Sequence, residues 1–150
     1  MSGRYNLPVA PLQLDTLIFF VTSRCNAKCR TCFYWEELNS DDDLSFDEIE
    51  RISATMPPFR EIWLSGGEPT LREELVDVLS LFYRRNGVRS VNLPVNGLLP
   101  DRLVQVLEST FAACPELRVN LNLALDGIGP THDAIRGVPG NFDREFWVPN

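Results

Sequence analysis

Four short runs of β-forming residues, separated by stretches of helical period, constrain this chain more than any other feature. The first, Thr16 to Thr22, is apolar on both faces, the pattern of a strand covered on two sides in a parallel sheet. The others span Glu61 to Ser65, Ser90 to Val95 and Leu117 to Leu125. Ser45 and Glu48 have the spacing of a capping box, so a helix is expected to open at Ser45 and run toward Thr55. Pro57-Pro58 then stops it. Thr70 and Glu73 offer a second capping box for a helix through Leu71, Leu75, Val78, Leu79 and Phe82. Gly87 is placed as its left-handed cap. A third helix is expected from about Asp101 to Ala113, then a loop with His132, then Asn141 as the cap of a fourth helix. This alternation implies βα units on a parallel sheet. Right-handed crossovers curl such units into a barrel or a doubly wound sheet. The chain ends as the fourth helix should be forming, so the expected organisation is an N-terminal extension over 1–15 and a core domain over 16–150, truncated at its C-terminus.

Composition narrows the function. The 150 residues, 44% apolar and 23% charged, suit one ordinary folded domain. A net charge of −7 speaks against a grip on nucleic-acid phosphate. Its excess sits partly in Asp41, Asp42 and Asp43, which read as a solvated loop. The longest apolar run, Leu17 to Val21, falls far short of the roughly 20 residues of a membrane span. Met1 to Ala10 lacks the features of a secretory signal. The expected compartment is the cytoplasm, where cysteines stay reduced and point to metal or catalysis before disulfides.

Cys25, Cys29 and Cys32 follow the first strand in a C-x3-C-x2-C loop. Ligands bind at that edge of α/β sheets. Three thiolates at such spacing can hold three corners of a four-iron cube, leaving the fourth iron open for chemistry. A zinc site would want a fourth ligand and usually a second knuckle, and the single histidine is His132. Lys28 and Arg30, between the thiols, either lower their pKa or point to water. Cys114 reads as a small buried hydrophobe.

Three ordered pieces carry a resemblance. They are the cysteine triad, then Gly66-Gly67-Glu68-Pro69 after the second strand, then Leu125-Asp126-Gly127, His132-Asp133 and Arg136-Gly137 after the fourth. Together they resemble the radical S-adenosylmethionine (SAM) superfamily, in its branch of peptide-modifying and cofactor-maturation enzymes. The resemblance implies a partial (β/α)6 TIM-like barrel, of which this chain covers about the first four βα units. It also implies a [4Fe-4S] cluster on Cys25, Cys29 and Cys32. SAM would chelate the unique iron, and one electron would split it to a 5′-deoxyadenosyl radical that abstracts hydrogen from substrate. Gly66 and Gly67 would let backbone approach the ligand, and Glu68 would accept from the methionyl ammonium. Asn96-Gly97 resembles the family's Thr-Asn-Gly, with Val95 in place of Thr. Ala124 stands where many relatives carry a Ser toward SAM, and Asn122, on the same strand face, is the candidate replacement. Thr31 precedes the third cysteine where an aromatic is usual, so Phe33, or Tyr34 or Trp35, is expected either to wall the cluster from water or simply to pack. His132 is expected to be structural, and Asp126 to form the turn or meet substrate. A peptide or small-molecule substrate and an electron donor such as flavodoxin or ferredoxin are implied. A noncatalytic iron–sulfur, metal-binding or electron-transfer module is the alternative.

Overall fold

The computed structural model describes residues 13–145; the extension expected over 1–15 lies mostly outside these residues. Four strands, β1 (Thr16–Thr22), β2 (Glu61–Gly66), β3 (Ser90–Val95) and β4 (Arg118–Leu123), alternate with α1 (Phe46–Thr55), α2 (Leu75–Arg85) and α3 (Pro100–Ala113). Two short helices, α4 (Pro130–Arg136) and α5 (Asn141–Glu145), follow. All strand pairs are parallel, in the order β1-β2-β3-β4. A doubly wound sheet must reverse its strand order at a switch point. Here neighbours in sequence are neighbours in space throughout, which is the order of a barrel wall.

Strand register separates the two faces. Leu17 pairs with Ile62 and Phe19 with Leu64, while Val91, Leu93 and Val95 pair with Val119, Leu121 and Leu123. This set faces the helices, and Ile62, Leu64, Val91, Leu93 and Val95 from it join α1, α2 and α3 side chains in the core. Phe82 of α2 packs edge-on against Phe19 and Phe59, with ring centroids 5.9 and 6.0 Å apart. The opposite face is open: Ile18 is 61% exposed and Trp63 49%. The expectation that β1 is buried on both faces is thus corrected. Right-handed crossovers between sequential strands put every connecting helix on the same side, so the other face becomes the concave interior. On the helix side, Leu121 and Leu123 line an open groove of about 680 Å3 against α3.

Local signals hold in part. The Ser45–Glu48 capping box forms, with Ser45 N donating to Glu48 Oε2 (2.9 Å) and Glu48 N to Ser45 Oγ (3.4 Å). Gly87 takes a φ of +74° just past α2. The second capping box does not form. Thr70 lies in a separate 3-10 turn, Pro69–Leu71, and α2 opens only at Leu75 with no side-chain cap. The buried carboxylate of Glu68 takes the Thr70 N–H and hydroxyl instead. The loop expected around His132 contains α4, and Asn141, expected as a cap, is the first residue of α5, where its Nδ2 donates to Asn96 O (3.0 Å). Among the described residues no helix is long and apolar enough to cross a membrane.

Candidate active site

Because the strands run parallel, their C-terminal ends share one edge, and the loops they feed meet there. The loop leaving β1 is folded back on itself. Thr22 Oγ1 and Ser23 N both donate to Asp43, at 2.7 and 2.6 Å. Asn39, held at a φ of +60°, accepts from Cys25 N (3.0 Å) and donates its own N–H to Ser23 O (2.9 Å). Asp43 therefore pins the strand end rather than merely meeting solvent. The far side of the loop leans on α4: Lys28 N donates to Arg136 O (3.2 Å) and Arg30 N to Ile135 O (2.8 Å).

Cys25, Cys29 and Cys32 are all free and half-buried in this loop. Among the described residues, no three His, Cys, Asp or Glu groups gather tightly enough to grip a single metal ion. A four-iron cube makes a different demand, because each thiolate holds a separate iron. Burial pushes the Cys25 thiol up; a bond with the Ala27 backbone opposes this, and the charges of Glu68 and the other two thiols add to it. Lys28 and Arg30 are exposed. Among the described residues, the cation that reaches a thiol is Arg136, whose Nη1 lies 3.5 Å from Cys29 Sγ. Cys114 is fully buried at the end of α3, as a small hydrophobe would be.

The loop leaving β2 packs into this one. A Cβ on Gly66 would stand 2.3 Å from Thr22 O, and one on Gly67 would stand 2.1 Å from Arg24 O. The two glycines are thus required by the approach of two protein backbones, a demand separate from the room they were expected to leave for a ligand. Gly67 N donates to Thr22 O (2.7 Å) and Glu68 N to Arg24 O (2.8 Å). Glu68 is 3% exposed. Its carboxylate accepts from Thr70 Oγ1 (2.6 Å), Thr70 N (3.2 Å) and Asn96 N (2.8 Å). Burial pushes this carboxyl up, against the lowering effect of those bonds and of Arg136. Asn96, at the end of β3, also donates through Nδ2 to Asn26 Oδ1 (2.7 Å), inside the cysteine loop.

Other expected residues sit further out. Phe33 is 79% exposed and meets Phe20 edge-on, at 6.4 Å between ring centroids, with Tyr34 beside both. Asn122 pairs with Pro94 across β3 and β4 and is exposed on the inner face. His132 is buried, its Nδ1 accepting from Asp126 N (3.2 Å) and its ring edge-on to Phe142. Asp126 pairs with Arg136 Nε at 2.9 Å. Sequence reasoning misses Arg136, Asn26 and Asp43 as site-building residues. Only Arg136 carries a signal, as part of the Arg136-Gly137 match.

The family model described as the Radical SAM superfamily matches residues 19–146, almost the whole of this architecture. The chain belongs to the radical SAM superfamily. It is 32% identical over 131 residues to the Fe-coproporphyrin III synthase of Methanosarcina barkeri, covering 85% of this chain and 31% of that protein. It is 35% identical over 137 residues to the GTP 3',8-cyclase of Staphylococcus carnosus, covering 85% of this chain and 37% of that protein. The solved structure of histidine-tagged anSMEcpe with bound AdoMet shares the fold, with a TM-score of 0.62, 22% identity, and coverage of 89% of this chain and 39% of that one. The chain therefore spans 31–37% of the length of these two curated relatives. Radical SAM superfamily members are enzymes that use a [4Fe-4S] cluster and SAM. The residues present fit both groups. Three free thiols share one loop beside a guanidinium, and Glu68 has three donors on a carboxylate with about four acceptor positions.

Proposed function

We propose that this chain is the cluster- and cofactor-binding part of a radical SAM enzyme, with Cys25, Cys29 and Cys32 holding a [4Fe-4S] cluster. Gly66, Gly67, Glu68, Asn96, Asn122 and Phe33 are the proposed SAM-contacting set. The observation that carries this reading is that the cysteine loop and the Glu68–Asn96 pair are one hydrogen-bonded unit, joined by Asn26 to Asn96 and by Glu68 N to Arg24 O. When bound, the two groups supply reductive cleavage of SAM, the chemistry general to the superfamily. The chain's own residues prepare for it. The three thiols would release their protons to solvent and bind iron as thiolates. Glu68, ionised, would offer its remaining lone pair to the methionyl ammonium. Asn122 would offer an amide on the strand face where Ala124 has only a methyl. Phe33, exposed beside Phe20 and Tyr34, would offer its open ring to SAM.

The named relatives act in cofactor synthesis, which favours cofactor maturation over peptide modification as the substrate class. A flavodoxin or ferredoxin would supply electrons, and the free thiols suit the cytoplasm. The test is electron paramagnetic resonance of the anaerobically reconstituted, reduced chain. A [4Fe-4S] signal that changes on adding SAM is expected, with loss of that signal in Cys25→Ala, Cys29→Ala or Cys32→Ala. Full intensity in any of the three overturns the ligand set; a cluster indifferent to SAM makes the chain an electron-transfer module.

A further inference from the structure

Arg136 belongs neither to the proposed ligands nor to the proposed SAM contacts, yet it is only 8% exposed and turns its guanidinium to the cysteine loop. Nη1 donates to Cys29 Sγ at 3.5 Å, Nη2 donates to Ala124 O, and Nε lies 2.9 Å from Asp126 Oδ2. Its main chain is engaged as well, since Arg136 O accepts from Lys28 N. Gly137 turns away at a φ of +69°, and a Cβ there would stand 2.6 Å from Lys28 O. The end of α4 is therefore set flush against the segment between Cys25 and Cys29. A buried guanidinium is retained only when its charge is met. Asp126 meets it on one side, Ala124 O accepts from Nη2, the charge also acts on the Glu68 carboxylate, and the Cys29 sulfur accepts from Nη1. Lys28 and Arg30, being exposed, are screened by water. Arg136 is thus the cation of the described residues that acts on a thiol through a direct contact.

We propose that Arg136 is a positioning residue that ties Cys29 to the end of α4 and raises the reduction potential of the cluster, with Asp126 setting the size of the effect. This rests on the reading of Cys25, Cys29 and Cys32 as ligands. Hydrogen bonds and charges at the ligand sulfurs are among the levers a protein has on an iron–sulfur potential. Reduction adds one negative charge to the cluster. A guanidinium on a ligand sulfur stabilises that charge, so its removal makes the potential more negative. Asp126 partly neutralises the guanidinium, so its removal makes the potential more positive. A pair that served only to hold the loop would show no such opposition: both substitutions would weaken iron retention and leave the potential of the remaining cluster alone.

The experiment is a potentiometric titration, followed by electron paramagnetic resonance, of the full chain with reconstituted cluster. Arg136→Gln is expected to lower the midpoint potential at unchanged iron content, Arg136→Lys to recover part of the drop, and Asp126→Asn to raise the midpoint. Should Arg136→Gln fail to hold iron, the Lys and Asn variants still decide, with shifts of opposite sign expected. Parent potentials in all cluster-bearing variants, or shifts of the same sign, overturn the proposal. A parent chain with no four-iron signal overturns the ligand reading itself, and this inference with it.

Discussion

At Gly67, a Cβ would stand 2.1 Å from Arg24 O and 2.8 Å from Ser23 O. Both are main-chain atoms and cannot swing aside. Gly67→Ala should cost about 1–3 kcal/mol, as forced overpacking does, and it should also displace the cysteine loop. Gly87→Ala is the control. Nothing lies within 4 Å of a Cβ there, and only its φ of +74° is unfavourable, at about 1–2 kcal/mol. Thermal denaturation should find both variants destabilised. Iron uptake should fall in Gly67→Ala alone; equal uptake in the two would separate Gly67 from the site. Glu68 makes the same point in polar terms. Its place after the glycines is legible as a motif, but its partners Thr70 and Asn96 come from the next turn and the next strand. No spacing rule names Asn96 as the donor.

Among the elements, α4 is the one hidden from a sequence reading. It is seven residues long, too short for a helical period to emerge, and Gly129-Pro130 and Gly137 read as loop punctuation. In the fold the same residues start and stop it, with Pro130 in the first turn and Gly137 left-handed at the end. Asp133 then fastens α4 to α5 by accepting from Phe142 N (2.9 Å) and Gly140 N. The Phe142 bond, above all, holds its carboxyl below the usual range. A depressed folded pKa means that this fastening is fully present above the unfolded value, near 3.9, and is lost as pH falls through the folded one. The Gly140 and Phe142 amide resonances should therefore titrate together with a midpoint below that of an ordinary aspartate. Asp133→Asn should abolish the shared titration, and independent midpoints would disconnect Asp133 from the corner. The lost capping box at Thr70 has a local origin: the buried carboxylate of Glu68, two residues back, outcompetes Glu73 for the Thr70 N–H and hydroxyl.

At the scale of the whole molecule, one face of the sheet is the core and the other is open. Leu93 is fully buried on the helix side, whereas Ile18 lies on the inner face. Leu93→Ala should cost about 2–5 kcal/mol, and Ile18→Ser should stay within about 0.5 kcal/mol, both read by chemical denaturation. A large loss at Ile18 would mean that the inner face is covered in solution. The sequence by itself determined where the strands and long helices lie, the bounds of β1 and β3, the cap at Ser45 and the order of the motifs. Each of these is written within a few residues, as a period, a cap or a spacing. The tertiary structure alone decided which face of the sheet is buried, that the glycine pair meets protein backbone, and that Arg136, 107 positions away, stands against Cys29. Those facts depend on parallel strands bringing their C-terminal ends to one edge. Such contacts join residues from different βα units, beyond the reach of any local pattern.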